Sequence, residues 1–336
     1  MSTGTRNRMR RSGAAALVLS CAALLAFAAQ AQPPASVPRI GYLVHSPLTD
    51  PPSPERAGFL QGLRELGYED GKNIVIEYRS AEGDPEMLPF LAQELVELKV
   101  KAIVGLGSPV IRAARQASST VPIVMLFAAD PVTLGFVHSL ARPGTNVTGM
   151  THMPAQLGPK RLELLKTALP RVAHVAVVWD ATNPGVVPEW KAIESAAPRL
   201  GVRLSAVDLS KIKDTDALGA RLNVLRPDAI TTIIDPHVAA YRQFLPRFAL
   251  ERRIPTMFDW KPFAEAGGLM SYVPDFPDMA RRAAGHVDKI LKGADPAELP
   301  IQQPTEVLLT VNLKTAKALG IAFPQPILLR ADNVIE

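Results

Sequence analysis

From residue 39 onward, short runs of β-branched and apolar residues alternate with amphipathic segments of helical period, and this rhythm limits the fold more than any other feature. In the first half the strand candidates are RIGYLVH (39–45), NIVIEYR (73–79), KAIVGLG (101–107), PIVMLF (122–127) and VTGM (147–150). Helix candidates lie between them at Pro54–Leu66, Pro85–Leu98, Pro109–Ser118 and Pro131–Leu140. Ser108, Asp84 and Asp130 each precede a proline, which sets a capping side chain beside a residue whose missing N–H costs nothing at a helix start. The second half repeats the pattern, with strands at 174–180, 202–208, 229–235, 255–259, 268–272 and 306–312. Its helices fall at Val187–Leu200, Asp214–Leu225, Val238–Arg252 and Phe276–Leu291, with a short one after residue 312. Nearly continuous apolar strands joined through helices predict parallel sheets covered on both faces. With 336 residues, more than one compact core usually carries, two such lobes are expected.

The net charge of +5 invites a nucleic-acid reading that its distribution removes. Arg6, Arg8, Arg10 and Arg11 supply four of those charges within a leader that has no acidic residue, so the remainder is close to neutral. That leader has a basic start, an apolar run at Ala14–Ala29 and the small residues Ala29-Gln30-Ala31. Its apolar run is shorter than the roughly 20 residues needed to span a bilayer. Residues 1–31 are therefore read as a cleaved signal peptide, and the chain as periplasmic. Cys21 follows Val18-Leu19-Ser20 in a pattern related to a lipoprotein site, but bulky Leu19 argues against lipidation. Cys21 is the single cysteine, so the mature chain has no disulfide, no thiol nucleophile and no cysteine-ligated metal.

Signatures of catalysis are missing: there is no G-x-S-x-G, no H-E-x-x-H and no Walker A lysine motif. The six histidines have no ligand-like spacing, so neither metal nor cofactor is expected. Polar residues gather instead just after the strands, where parallel sheets bind ligands. They are Ser46, Gly107, Ser108, Asp130, Asn183, Asp235 and Asp275, with Trp260 and Tyr272 as aromatic candidates beside Phe127. Ser108, Asp130 and Asp235 also suit simple helix caps.

The stretch DPVTLGFVHSLARPGTNVTGM (130–150) resembles a signature of the TrpX-like family of ABC-transporter substrate-binding proteins. So does AEAGGLMSYVPDFPDMARRAAGHVDKILKGADPAELPIQQPTEVLLTVNLKTAKALGI (264–321), and the similarity runs in order through residues 39–336. The resemblance implies a type I periplasmic-binding fold, in which two Rossmann-like lobes close on a small solute and hand it to an ABC permease in the inner membrane. In this chain Val273 follows Tyr272, where many relatives carry glycine.

On this reading the first lobe comprises 37–153 plus 276–293, and the second 154–275 plus 294–336, joined by three crossings that act as a hinge. The expected ligand is an amino acid or related zwitterion. The Ser108 helix start would hold its carboxylate, Asp235 and Asp275 its ammonium, and Trp260 or Tyr272 its apolar body. The protein is expected to be a monomer and not an enzyme. An exported sensor for a membrane receptor is the alternative, followed by an α/β hydrolase or isomerase using Asp235 and His237.

Overall fold

Two sheets take up the twelve strands found among the described residues, and they share one wiring rule. The first holds β1 (Arg39–Val44), β2 (Val75–Ser80), β3 (Ile103–Leu106), β4 (Ile123–Ala128) and β5 (Val147–Thr151). Their order is β2-β1-β3-β4-β5, with every pair parallel. The second contains β6 (His174–Trp179), β7 (Arg203–Asp208), β8 (Ala229–Thr232), β9 (Thr256–Phe258) and β10 (Met270–Pro274). These run parallel in the order β7-β6-β8-β9-β10, which repeats the first sheet's wiring. Two further strands, β11 (Val307–Asn312) and β12 (Asn333–Ile335), extend it beyond β10. β11 pairs antiparallel with β10, and β12 parallel with β11. The computed structural model describes Met1 and residues 37–336 except position 234, so the expected leader otherwise lies outside the described residues. All that follows concerns the compact unit Pro38–Glu336.

The apolar strands are apolar because both faces are covered. On the first sheet Ile40, Tyr42, Val104 and Val124 pack under the helices Pro54–Glu65 and Phe276–Leu291. Leu43, Ile103, Ile123 and Met125 point the other way, toward the helices Leu88–Glu97 and Ser108–Ala117. The second sheet divides likewise, with Val175 and Val177 on one face and Ala176 and Val178 on the other. Successive residues of one strand thus feed opposite cores, as the pleat requires.

The Phe276–Leu291 helix follows β10 of the second sheet yet covers the first. Its contact with the Pro54–Glu65 helix is close: a Cβ on Gly58 would come within 2.3 Å of the Pro277 carbonyl oxygen, and one on Gly62 within 2.1 Å of that of Arg281. The chain then stays on the first sheet longer than the boundary expected at 294. Gly144 N donates to Ala297 O, Thr148 Oγ1 to Leu299 O, and Gln302 bridges to Met150. Those hydrogen bonds move the third crossing beyond residue 302, a correction to the second-lobe span.

Other departures have local causes. The helix expected at Pro131–Leu140 is a single turn. The Asp130 carboxylate takes the N–H groups of Val132 and Thr133 and the Thr133 hydroxyl, and Gly135 then turns left-handed at φ 68°. Phe136 and Val137 drop from that turn into the core. Conversely, Pro154–Ala168 is a helix that Gly158 and Pro159 concealed from sequence reading. Gly158 lies against Ile193 of the next helix, 2.7 Å from where its Cβ would stand, so close packing selects glycine there. Expected Val238–Arg252 divides into Pro236–Ala239 and Phe244–Glu251, which places Pro246 in a first turn, where its missing N–H is tolerated. The helix Gln325–Arg330 and strand β12 were not expected at all.

Gly62→Ala is expected to destabilise the protein by about 1–3 kcal/mol, because the new methyl meets backbone and not a movable side chain. Chemical denaturation would measure the loss, and an unchanged midpoint would contradict the packing described.

Candidate functional site

In a sheet ordered 2-1-3-4-5, the connections leaving the first and third strands diverge, and the crevice between them is the usual ligand site. The first sheet places His45, Ser46, Gly107 and Ser108 there, after β1 and β3. The second places the 180–185 loop and Asp235 there, after β6 and β8. The two crevices meet. A Cβ on Gly185 would lie 3.1 Å from Ser108 Oγ of the opposite lobe and 3.1 Å from Asn183 Oδ1.

Each side of this junction has its own polarity. Gly107, at φ 90°, is the N-cap of the Ser108–Ala117 helix and offers no side chain, while Ser108 is the first helical residue and not the cap. The first-turn amides of Ser108 and Val110 therefore have no capping side-chain acceptor, and Pro109 has no N–H to offer. Ser108 Oγ accepts from Ala129 N at 3.3 Å, which leaves the hydroxyl proton to donate. Opposite stands a carboxylate. Asp235 Oδ1 accepts from Val238 N at 2.8 Å and caps the short helix, and Asn183 Nδ2 donates to Oδ2 at 3.4 Å. Burial pushes the Asp235 carboxyl up to about 6; the Asp180 charge adds to this, and the Val238 and Asn183 hydrogen bonds oppose it. Ser108 and Asp235 are both buried, 7% and 8% exposed.

Beside Asp235, His237 Nδ1 lies 2.9 Å from Asp180 Oδ2. Burial alone would raise Asp180, but hydrogen bonds from Thr182 and His237 outweigh it and hold the carboxyl below its usual range. The hydrolase alternative needs Asp235 to serve His237; the histidine is partnered by Asp180 instead. His45, across the cleft, is held below its ordinary value by burial, with Asp84 opposing and the His237 charge adding.

A family model described as ABC transporter substrate binding protein matches residues 48–335. The chain belongs to that family. It is 26% identical over 291 residues to a tyrosine-binding protein of Clostridioides difficile (strain R20291), covering 86% of this chain and 82% of the relative. Among solved structures it resembles an ABC domain in complex with L-Trp from Streptococcus pneumonia, at TM-score 0.81 and 26% identity. That match covers 89% of this chain and all of the other. A conserved domain protein from Vibrio cholerae O1 biovar eltor str. N16961 matches at TM-score 0.82 and 27% identity, with the same coverage. The two-lobed α/β fold is thus that of type I periplasmic binding proteins.

Not every expected residue of this substrate-binding protein reaches the cleft. Gly107, Ser108, Asn183 and Asp235 do, and Ser46 is exposed at the rim, where its carbonyl accepts from Ser80 Oγ. Asp130 is spent on its own turn. Asp275 caps the Phe276–Leu291 helix through Asp278 N, at the second crossing. Tyr272 requires correction: its ring belongs to the second-lobe core, and Arg330 Nη2 donates to its hydroxyl at 3.2 Å while lying over the ring. Strand alternation explains this, since Val273 is the residue that faces the first lobe's core. Trp260 is half-buried and packs against apolar clusters of both lobes. Among the described residues no group of three or more His, Cys, Asp or Glu is arranged to hold a metal ion.

Sequence reading missed a second polar cluster, at the hinge. Arg161, 3% exposed, donates through Nη1 to the Tyr272 carbonyl at 3.2 Å and through Nη2 to Glu189 Oε1. It thereby ties the helix after the first crossing to the strand before the second. Its Nε and the Nδ1 of His152 are buried without a hydrogen-bond partner. Both residues line a cavity of about 10 Å³, together with Glu189, Asp259, Pro274 and Phe276. Burial pushes the Glu189 carboxyl up, with Asp259 adding and the Arg161 guanidinium opposing. Burial also drives His152 down to about 4, with a hydrogen bond to the Ala128 carbonyl opposing and the Arg161 charge adding, which keeps its ring neutral at pH 7. One signal was available: Arg161 sits four residues from both Leu157 and Leu165, on an apolar face where a charge needs a partner.

Arg161→Met is expected to cost about 3–5 kcal/mol, because it strands the buried Glu189. Adding Glu189→Leu should recover most of that loss. Denaturation of both variants checks the pair, and equal losses in the two would mean that Arg161 acts only as packing.

Proposed function

We propose that this substrate-binding protein is exported to the periplasm, captures an amino acid with an apolar or aromatic body between its lobes, and delivers it to an ABC permease in the inner membrane. One observation carries the reading: an uncapped helix start at Ser108 faces a buried carboxylate, Asp235, across a junction of the two lobes. Helix amides attract a carboxylate, and Asp235 attracts an ammonium, so the two poles suit a zwitterion. Trp260, in touch with both lobes, suits the apolar body. Relatives named for tyrosine and solved with L-Trp support an amino-acid ligand. The basic, apolar and small-residue sequence of the leader supports export. Among the described residues no helix is long and apolar enough to cross a membrane. Of the two poles, Asp235 is the sharper to test.

Calorimetric titration of a panel of amino acids, preceded by thermal-shift screening, tests the reading. An ammonium needs Asp235 ionised, and its carboxyl titrates at about 6. Affinity should therefore hold above pH 6 and fall about tenfold per unit below it. Asp235→Asn should cost about 1.5–3 kcal/mol of binding and flatten that dependence. Its effect on ligand-free stability should have the opposite sense. Because the folded-state pKa is raised, the wild type should lose stability as pH climbs from about 4 to 6, and the variant should not. Asparagine caps about as well as aspartate, so the helix itself should hold. If no amino acid raises the melting temperature, the reading fails.

A further inference from the structure

The hinge cavity stands in a definite place relative to the Ser108–Asp235 pole. On the first lobe, hydrogen bonds step along the carboxyl edge from one to the other: Ala129 N donates to Ser108 Oγ, and His152 N donates to the Ala128 carbonyl. These steps run from the end of β3, across β4, to the end of β5. On the second lobe the matching path runs from Asp235, after β8, through Asp259, after β9, to Pro274 at the end of β10. Each path covers two strand spacings, roughly 10 Å.

Two aromatic side chains lie between, beside the buried Asp259. Phe127, the last residue but one of β4, stacks on Phe276 with ring centroids 4.2 Å apart, and Trp260 follows β9 and packs against both lobes. Along the edge the order is thus a zwitterion pole, an aromatic strip and then a polar cavity. The cavity's two unpartnered atoms are a donor, Arg161 Nε–H, and an imidazole nitrogen, His152 Nδ1. Both residues line the same cavity, so a hydroxyl placed in it can accept from the guanidinium while its proton goes to the ring nitrogen. An indole N–H donates only and leaves Arg161 Nε unmet. A phenyl ring meets neither.

We propose that this cavity is a specificity subsite, in which Arg161 and His152 take the hydroxyl at the tip of an aromatic amino acid and so select tyrosine over phenylalanine. The proposal rests on the amino-acid reading above and adds which side chain is read, and by which residues. The same two atoms can be served by a single resident water, for which about 10 Å³ is just enough space. Water and ligand hydroxyl share this chemistry and are separated by the experiment.

Calorimetric titration of the mature protein with L-tyrosine, L-phenylalanine and O-methyl-L-tyrosine provides the test. Tyrosine is expected to bind about tenfold or more tightly than phenylalanine, the scale of a hydrogen bond to a charged group. O-methyl-tyrosine should bind more weakly than phenylalanine, because the cavity has no room for a further methyl. In His152→Leu and Arg161→Lys the ratio of tyrosine to phenylalanine affinity should collapse toward one, and a cooperative thermal melt of each variant reports that it is folded. Arg161→Lys is expected to weaken both ligands through the hinge, so the ratio is what decides. Equal affinities for tyrosine and phenylalanine in the unaltered protein mean that the cavity holds water, and they overturn the subsite while leaving the amino-acid reading intact. A tyrosine preference that survives both substitutions places the hydroxyl elsewhere and also overturns it. Binding of no amino acid defeats both readings together.

Discussion

A five-stranded parallel sheet needs apolar cover on both faces, and the first sheet receives half of one cover from a helix made only after β10 of the second sheet is complete. The Phe276–Leu291 helix supplies Phe276, Met279, Ala280, Ala283, Ala284 and Val287 to the core above Ile40, Tyr42 and Val104. Its approach to the Pro54–Glu65 helix is close enough to demand Gly58 and Gly62. Neither lobe is therefore a continuous piece of chain. The first crossing leaves β5, the second returns after β10, and the third leaves again beyond residue 302. A multi-segment hinge follows from the need to cover a sheet.

That hinge is where the protein keeps its most deeply buried charges. An arginine and a glutamate at 3% and 2% exposure are costly to desolvate, and such a pair stabilises little compared with well-packed apolar residues. Arg161 does something an apolar residue cannot, since it bonds to the Tyr272 carbonyl and orders the two crossings against each other. The cleft spends polarity differently. Gly107 leaves helix amides uncapped, and burial holds Asp235 in a place that disfavours its own charge. Both arrangements leave buried polar groups without a protein partner, which a simple row of helix caps would not.

The same principle explains why single residues sorted as they did. Ser108, Asp130, Asp235 and Asp275 all follow strands and all precede or begin a helical turn, so sequence position treats them alike. What distinguishes them is the partner brought from elsewhere. Asp130 and Asp275 find theirs within three residues. Ser108 meets Gly185 from the other lobe, and Asp235 meets Asn183 from a different loop. Tyr272 misled for a related reason: its strand was legible, but a shift of one residue moves a side chain from one face to the other.

Sequence alone determined the alternation of strands and helices and the two parallel-sheet lobes. These follow from local period and from the handedness of parallel connections, which act over a few residues to a few tens. It also determined that the body beyond the basic leader is nearly neutral, which is a matter of composition. The Pro154–Ala168 helix stayed hidden because Gly158 and Pro159 break local rules that packing against Ile193 overrides. Tertiary structure decided where residues 294–302 lie, which carboxylate His237 meets and how Arg161 joins Glu189 and Tyr272. Those contacts link positions from 28 to about 150 residues apart, and no local propensity encodes them.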